Sequence, residues 1–196
     1  MTRQAHPWLT PAAVPAPVPE ASAAPTPPLT GPARPHAGVP ETDAVDRLPR
    51  RSVSSLAALW VVGAHGGAGE TVVARLLPGA RPAQHAWPAA GRELKTPRVL
   101  LVCRSHADGL RAAQRALTDW ASPNAGFSVE LLGLVVSADA PGPLPKPLRD
   151  FAALVGGGAP RLWHLPWVPA WRMGQDPHEP PREVRSFIRT VTTLLT

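Results

Sequence analysis

The sequence predicts an α/β domain of three layers, built on a mostly parallel sheet of about four to five strands. Two observations carry this. Four short runs are apolar on successive residues rather than alternate ones and are rich in Val and Leu, as strands buried on both faces of a parallel sheet must be. Segments with helical spacing separate these runs, so strand and helix alternate along the chain.

The elements follow in order. Residues 1–52 hold twelve of the 27 prolines and few large apolar side chains. A stretch such as PAAVPAPVPEASAAPTPPLTGPARP has neither helical nor strand periodicity, so 1–52 is expected to be a disordered, partly polyproline-II tail and 53–196 the folded domain. LAALWVV (56–62) is the first expected strand, GAHGGAGET (63–71) the loop after it, and TVVARLL a short helix. The next stretch, RPAQHAWPAAGRELKTP, is polar and interrupted by proline, and is expected to hold no strand–helix pair. RVLLVCR (98–104) is the second strand. In HADGLRAAQRALTDWA, Leu110, Ala113, Leu117 and Trp120 fall on one face at spacings of three and four, with Arg111, Arg115 and Asp119 elsewhere. VELLGLVVSAD (129–139) and RLWHLP (161–166) are the remaining strands, and PKPLRDFAALV and PREVRSFIRTVTTLL the remaining helices.

Composition narrows the function classes. The net charge of +6, with a pI near 11.1, permits a nucleic-acid or acidic-membrane partner. The arginines are nevertheless scattered singly, without a run of three basic residues, so nucleic-acid binding stays a secondary expectation. One cysteine, Cys103, excludes an intramolecular disulfide framework. No Cys pair or His spacing suggests a metal site, and no apolar run reaches the roughly 20 residues of a membrane helix. A soluble, cytoplasmic protein without a membrane span is the expectation.

In parallel α/β sheets, ligands bind beyond the C-terminal ends of the strands. Here that edge collects GAHGGAGET, Ser105-His106, Asp139-Ala-Pro-Gly and Pro166-Trp-Val-Pro. A phosphate loop needs glycines to turn backbone N–H groups inward, a lysine to reach the phosphates and a Ser/Thr hydroxyl for magnesium. Gly66, Gly67, Ala68 and Gly69 provide the turn and Thr71 the hydroxyl, which would bind a metal only if a magnesium–nucleotide is present; Glu70 replaces the lysine.

HGGAGET (65–71) resembles the deviant Walker A motif KGGxGKT of the ParA/MinD-type P-loop ATPases, which position chromosomes, plasmids and division machinery. On that alignment His65 stands where the signature lysine would be, Glu70 at the phosphate-binding lysine and Thr71 at the magnesium-binding threonine. Strands 98–104 and 129–139 resemble late strands of that group, and RLWHLPWVPAWRMG the segment that closes over the base. No strand ending in an Asp-x-Asp or DTPP-like element follows the loop before position 98, so a Walker B acid has no counterpart and the P-loop-like fold looks truncated. The chain is also similar, over about 56–175, to an uncharacterised family of short P-loop-like proteins of high-GC Gram-positive bacteria that carry AHGGAGE, DAPGxLPxPLRD and LPWxxxWR segments.

Exchanging lysine for glutamate beside a phosphate turns an attraction of roughly 4 kcal/mol into a repulsion, at about 4 Å and an effective dielectric near 20. Hydrolysis of bound ATP or GTP with magnesium is therefore not expected. Weaker nucleotide or phosphate binding stays open, with Arg75, Arg104 or Arg172 replacing the lysines; so does a glycine turn that binds nothing.

Other candidates carry a plainer reading beside the functional one. His65, His106 and Asp139 could converge as an acid–base set, or Asp139 could cap a turn. Ser105-His106 lacks a nucleophile elbow. Cys103 reads as core. Trp163, Trp167 and Trp171 either roof the sheet or stack on a base or partner, with Trp167 the site candidate. The resemblance implies a non-catalytic or weakly nucleotide-binding regulatory module, with a protein partner and a link to plasmid or mobile-element maintenance. The alternatives are a weak ATPase or GTPase with a nonstandard site, and a DNA-binding accessory protein.

Overall fold

The computed structural model describes residues 28–55, 57–91, 93–123 and 128–196. Its centre is a five-stranded sheet with every pairing parallel, in the order β3-β2-β5-β6-β7. These strands span Ala80–Pro82 (β3), Leu59–Gly63 (β2), Arg98–Arg104 (β5), Glu130–Ser137 (β6) and Leu162–Leu165 (β7). A second, two-stranded sheet pairs Arg50–Val53 (β1) in parallel with Trp87–Ala90 (β4). The helices are Glu70–Leu76 (α1), Ala107–Ala121 (α2), Lys146–Gly156 (α3), the short Pro169–Arg172 (α4) and Arg182–Leu195 (α5). The expected α/β sandwich is therefore the fold, and none of its described helices is long and apolar enough to cross a membrane.

Burial on both faces explains the unbroken apolar runs. In central β5, Val99, Leu101 and Cys103 face a core shared with Leu110, Ala113, Leu117 and Trp120 of α2 and Val155 of α3. Leu100 and Val102 face the opposite core, with Val73 and Leu77 beside α1 and Val184, Phe187 and Val191 of α5. All five β5 residues are fully buried. Each such side chain contributes about 1.5–3 kcal/mol by leaving water, so the run specifies the middle of the sheet.

One expectation needs correction. Residues 1–27 of the expected tail lie outside the described residues, as does Leu56 of the first apolar run. Residues 28–52, however, lie against the domain. The Thr30 N–H donates to the Pro160 carbonyl at 2.8 Å and the His36 N–H to the Ala121 carbonyl at 2.9 Å, while Leu48 is buried. Arg115 of α2 pairs with Asp46 at 3.2 Å. Asp119, expected on the polar side of α2, is buried and accepts the indole N–H of Trp87 at 3.0 Å; Arg50 of β1 stands 4.0 Å away. Burial raises the pKa of this carboxyl, against the indole hydrogen bond and the nearby Arg50 and Arg47. Single polar and anchoring contacts of this kind have no periodicity, so a proline-rich composition conceals them.

The proline-interrupted stretch after α1 holds two short strands, β3 and β4, and among its described residues no helix. Pro82 sits in the edge strand β3, where a missing N–H costs little. Between the strands Gln84 and His85 are both left-handed, at φ 57° and 58°. Consecutive non-glycine residues in that region cost free energy and need outside support.

Candidate functional site

The C-terminal ends of β2, β5, β6 and β7 open on a cavity of about 530 Å³. The loop after β2 supplies Gly67 and Gly69, the end of β5 Arg104, and the start of α2 His106. Asp139 comes from the loop after β6, and Trp167, Trp171 and Arg172 from the segment after β7. The sheet thus gathers the glycine loop, His106, Asp139 and Trp167 at one place, as the strand-end rule anticipated.

The glycine loop turns through left-handed Gly67 (φ 77°) and Gly69 (φ 98°), conformations that side chains disfavour. Gly69 leads into α1, whose Val73 N–H donates to the Gly69 carbonyl at 3.0 Å. Gly66 is exposed and Ala68 buried. Thr71 is exposed and does not line the cavity, so it is out of place for a metal held there.

Glu70 does not project at a phosphate. One carboxylate oxygen accepts the backbone N–H of Gln84, and the other accepts that of His85 at 3.1 Å. The imidazole of His85 donates in turn through Nδ1 to the Gly63 carbonyl at 2.6 Å. Glu70 thereby supplies the support that the left-handed pair requires and ties the loop after β2 to the turn between β3 and β4. The repulsion reckoned for an inward-facing glutamate does not apply, because its charge is directed to backbone donors.

Arg104 takes the central position instead. Its Nε donates to the Gly67 carbonyl at 3.1 Å and Nη1 to the Ala138 carbonyl at 3.0 Å. A methyl group placed on Gly69 would lie 3.6 Å from Nη2. Burial lowers the guanidinium pKa, Asp139 opposes this, and Arg172 adds like-charge repulsion. Of the three arginines considered as lysine substitutes, Arg104 and Arg172 line the cavity, whereas Arg75 pairs with Asp176 at 3.3 Å on the surface.

The two strand-end histidines serve the backbone. His65 donates through Nδ1 to the Gly66 carbonyl at 2.8 Å and accepts the Arg104 N–H on Nε2 at 3.1 Å, which defines a neutral ring. Its pKa is lowered first by burial, with His106, His85 and Arg104 adding to the effect and the bond to Gly66 opposing it. His106 caps α2, its Nδ1 accepting the Gly109 N–H at 3.0 Å, and its ring lies 5.3 Å from that of His65. Gly109 is required at this contact: a methyl there would stand 2.5 Å from the Arg104 carbonyl oxygen and 2.9 Å from His65 Nε2.

Asp139 accepts the hydroxyl of buried Ser105, while the Asp139 N–H donates back to Ser105 Oγ at 3.2 Å. This reciprocal pair joins the ends of β5 and β6. His65, His106, Ser105 and Asp139 therefore meet at one end of the sheet as loop-fastening groups, each holding a backbone or neighbouring partner. Cys103 is core, its thiol pushed up to about 12 by burial. Trp163 packs edge-on against Phe187 with centroids 5.8 Å apart, and Trp171 joins the same core. Among the described residues Trp167 packs into neither core and stands half-buried on the cavity wall.

Sequence reading missed the Glu70 brace and the Ser105–Asp139 pair. The only available signal for the first was an acidic residue where the phosphate-loop pattern has lysine, with no indication of its partners 14 and 15 residues away.

An α/β domain with a cationic, tryptophan-walled cavity at its strand ends is the class that this geometry defines. The chain belongs to the family of unknown function DUF6668, whose family model matches residues 57–188, more than half of the 196 residues. That span runs from the start of β2 into α5 and contains every wall residue of the cavity. No curated protein and no solved structure matches the chain.

Proposed function

We propose that this protein is a non-catalytic binding module of P-loop-like ancestry, related to the ParA/MinD-type ATPases, that holds an anionic, phosphate-bearing ligand at its strand ends. The observation that carries this reading is the pair Arg104 and Arg172. Two guanidinium groups line one cavity and repel one another, and Arg104 is partly withdrawn from water. An anion between them relieves that repulsion and gains charge-assisted hydrogen bonds.

The resemblance supports the ancestry, and it also supports a regulatory role in the cytoplasm beside a protein partner, with a link to plasmid or mobile-element maintenance. Hydrolysis is not part of the reading. Ser105, Asp139, His65 and His106 are engaged in fastening the loops, and Glu70 braces a turn rather than activating water. The test is thermal unfolding of the full chain with inorganic phosphate, pyrophosphate and Mg-ATP, together with a phosphate-release assay. Saturable stabilisation by anions without turnover is expected. Turnover that survives purification and is lost on Gly69→Val would replace this reading with the weak-ATPase one.

A further inference from the structure

We infer that the cavity takes a nucleoside monophosphate, a phosphomonoester whose sugar also carries a planar base, and binds it without a metal ion. This rests on the anion-binding reading above and specifies its ligand.

Charge is the first argument. A phosphomonoester carries about −1.5 to −2 near pH 7, which two guanidinium groups balance. A triphosphate would bring further charge that a cation must neutralise, and the wall is poorly equipped to hold one. Among the described residues its only carboxylate is Asp139, which accepts a hydrogen bond from Ser105. Thr71 is exposed and off the wall, and both oxygens of Glu70 are bound to backbone N–H groups. A divalent ion would therefore meet one carboxylate and two competing cations.

The second argument is the ring. Trp167 and Trp171 both line the cavity; Trp171 also packs against a core, as Trp163 does, whereas Trp167 joins neither core and presents a half-buried indole. An indole and guanidinium groups on one wall suit a ligand that carries a flat π-system as well as a phosphate. Size is the third: about 530 Å³ falls within the usual range of small-ligand sites, roughly 300–1,000 Å³.

Isothermal titration of the full chain with AMP, adenosine, inorganic phosphate and ATP, each in EDTA and in magnesium, tests this. AMP in EDTA is expected to bind about tenfold more tightly than phosphate, with magnesium making little difference. Trp167→Leu should erase the advantage of AMP over phosphate while Trp167→Phe keeps it, and Arg172→Met should weaken both ligands about tenfold. If phosphate binds but AMP binds no better, or if magnesium-ATP binds more tightly than metal-free AMP, the inference falls and the anion-binding reading stands. If no anion binds in either buffer, both fall.

Discussion

Glu70, at the head of α1, accepts the backbone N–H of His85 at 3.1 Å through the same carboxylate that takes the Gln84 N–H. Both donors belong to left-handed residues. The residue that departs most from a phosphate-loop pattern is thus what holds the neighbouring turn in an unfavourable conformation.

Placing a lysine at position 70 should therefore damage the protein. Glu70→Lys leaves two backbone N–H groups without their acceptor and sets a cation against them. A loss of about 2–4 kcal/mol is expected, read by urea unfolding, since each unmade bond costs about 1–3 kcal/mol. Glu70→Gln keeps one amide oxygen and should lose less. An unchanged midpoint for Glu70→Lys, together with new stabilisation by Mg-ATP, would show that the side chain faces the phosphate side after all.

The two cavity arginines should separate in their effects. Arg104→Met removes hydrogen bonds to the Gly67 and Ala138 carbonyls and should cost roughly 1–3 kcal/mol, besides abolishing stabilisation by phosphate. Arg172 is exposed on the rim, so Arg172→Met should abolish most of the phosphate effect with stability unchanged within about 0.5 kcal/mol. Equal destabilisation by both variants would contradict this division.

His65 imposes a pH dependence of definite sign. Its folded-state pKa lies below the ordinary 6.5 because burial and neighbouring positive charge disfavour the imidazolium. The unfolded chain therefore takes up a proton first as pH falls, and stability is lost from about pH 6.5 downward until the folded-state value is reached. Above that window the contribution is fully present. Protonation would also remove the acceptor for the Arg104 N–H. Unfolding free energies measured from pH 7.5 to 5 should fall less steeply in His65→Gln than in the wild type.

Cys103 should be silent in the native state. With its thiol pushed up to about 12 and its side chain buried, thiolate is scarce and inaccessible. A disulfide reagent at pH 8 should label the protein in urea and leave the native form unlabelled over minutes; rapid native labelling would place the thiol in the cavity rather than the core.

Much of the fold was legible because it is repetitive. The run 98–104 predicted its strand to the residue, and the spacing of Leu110, Ala113, Leu117 and Trp120 predicted the buried face of α2. The strand-end rule also brought Gly67, Gly69, His106, Asp139 and Trp167 to one cavity. Less was legible where one contact outweighs a pattern. Trp87 is fully buried inside a proline-broken stretch, and Leu48, Arg50 and Asp46 attach a segment that composition assigned to a tail.

By itself, then, the sequence determined the parallel sheet, its helices and the edge at which ligands meet, because burial on two faces and helical spacing are local, repeated signals. Only the tertiary structure decided what the odd residues do. Glu70 turns to Gln84 and His85, Arg104 crosses to Gly67, and Trp167 stands apart from two similar tryptophans. Hydrogen bonds and side-chain directions depend on partners brought together from distant parts of the chain, and spacing along a sequence carries no record of them.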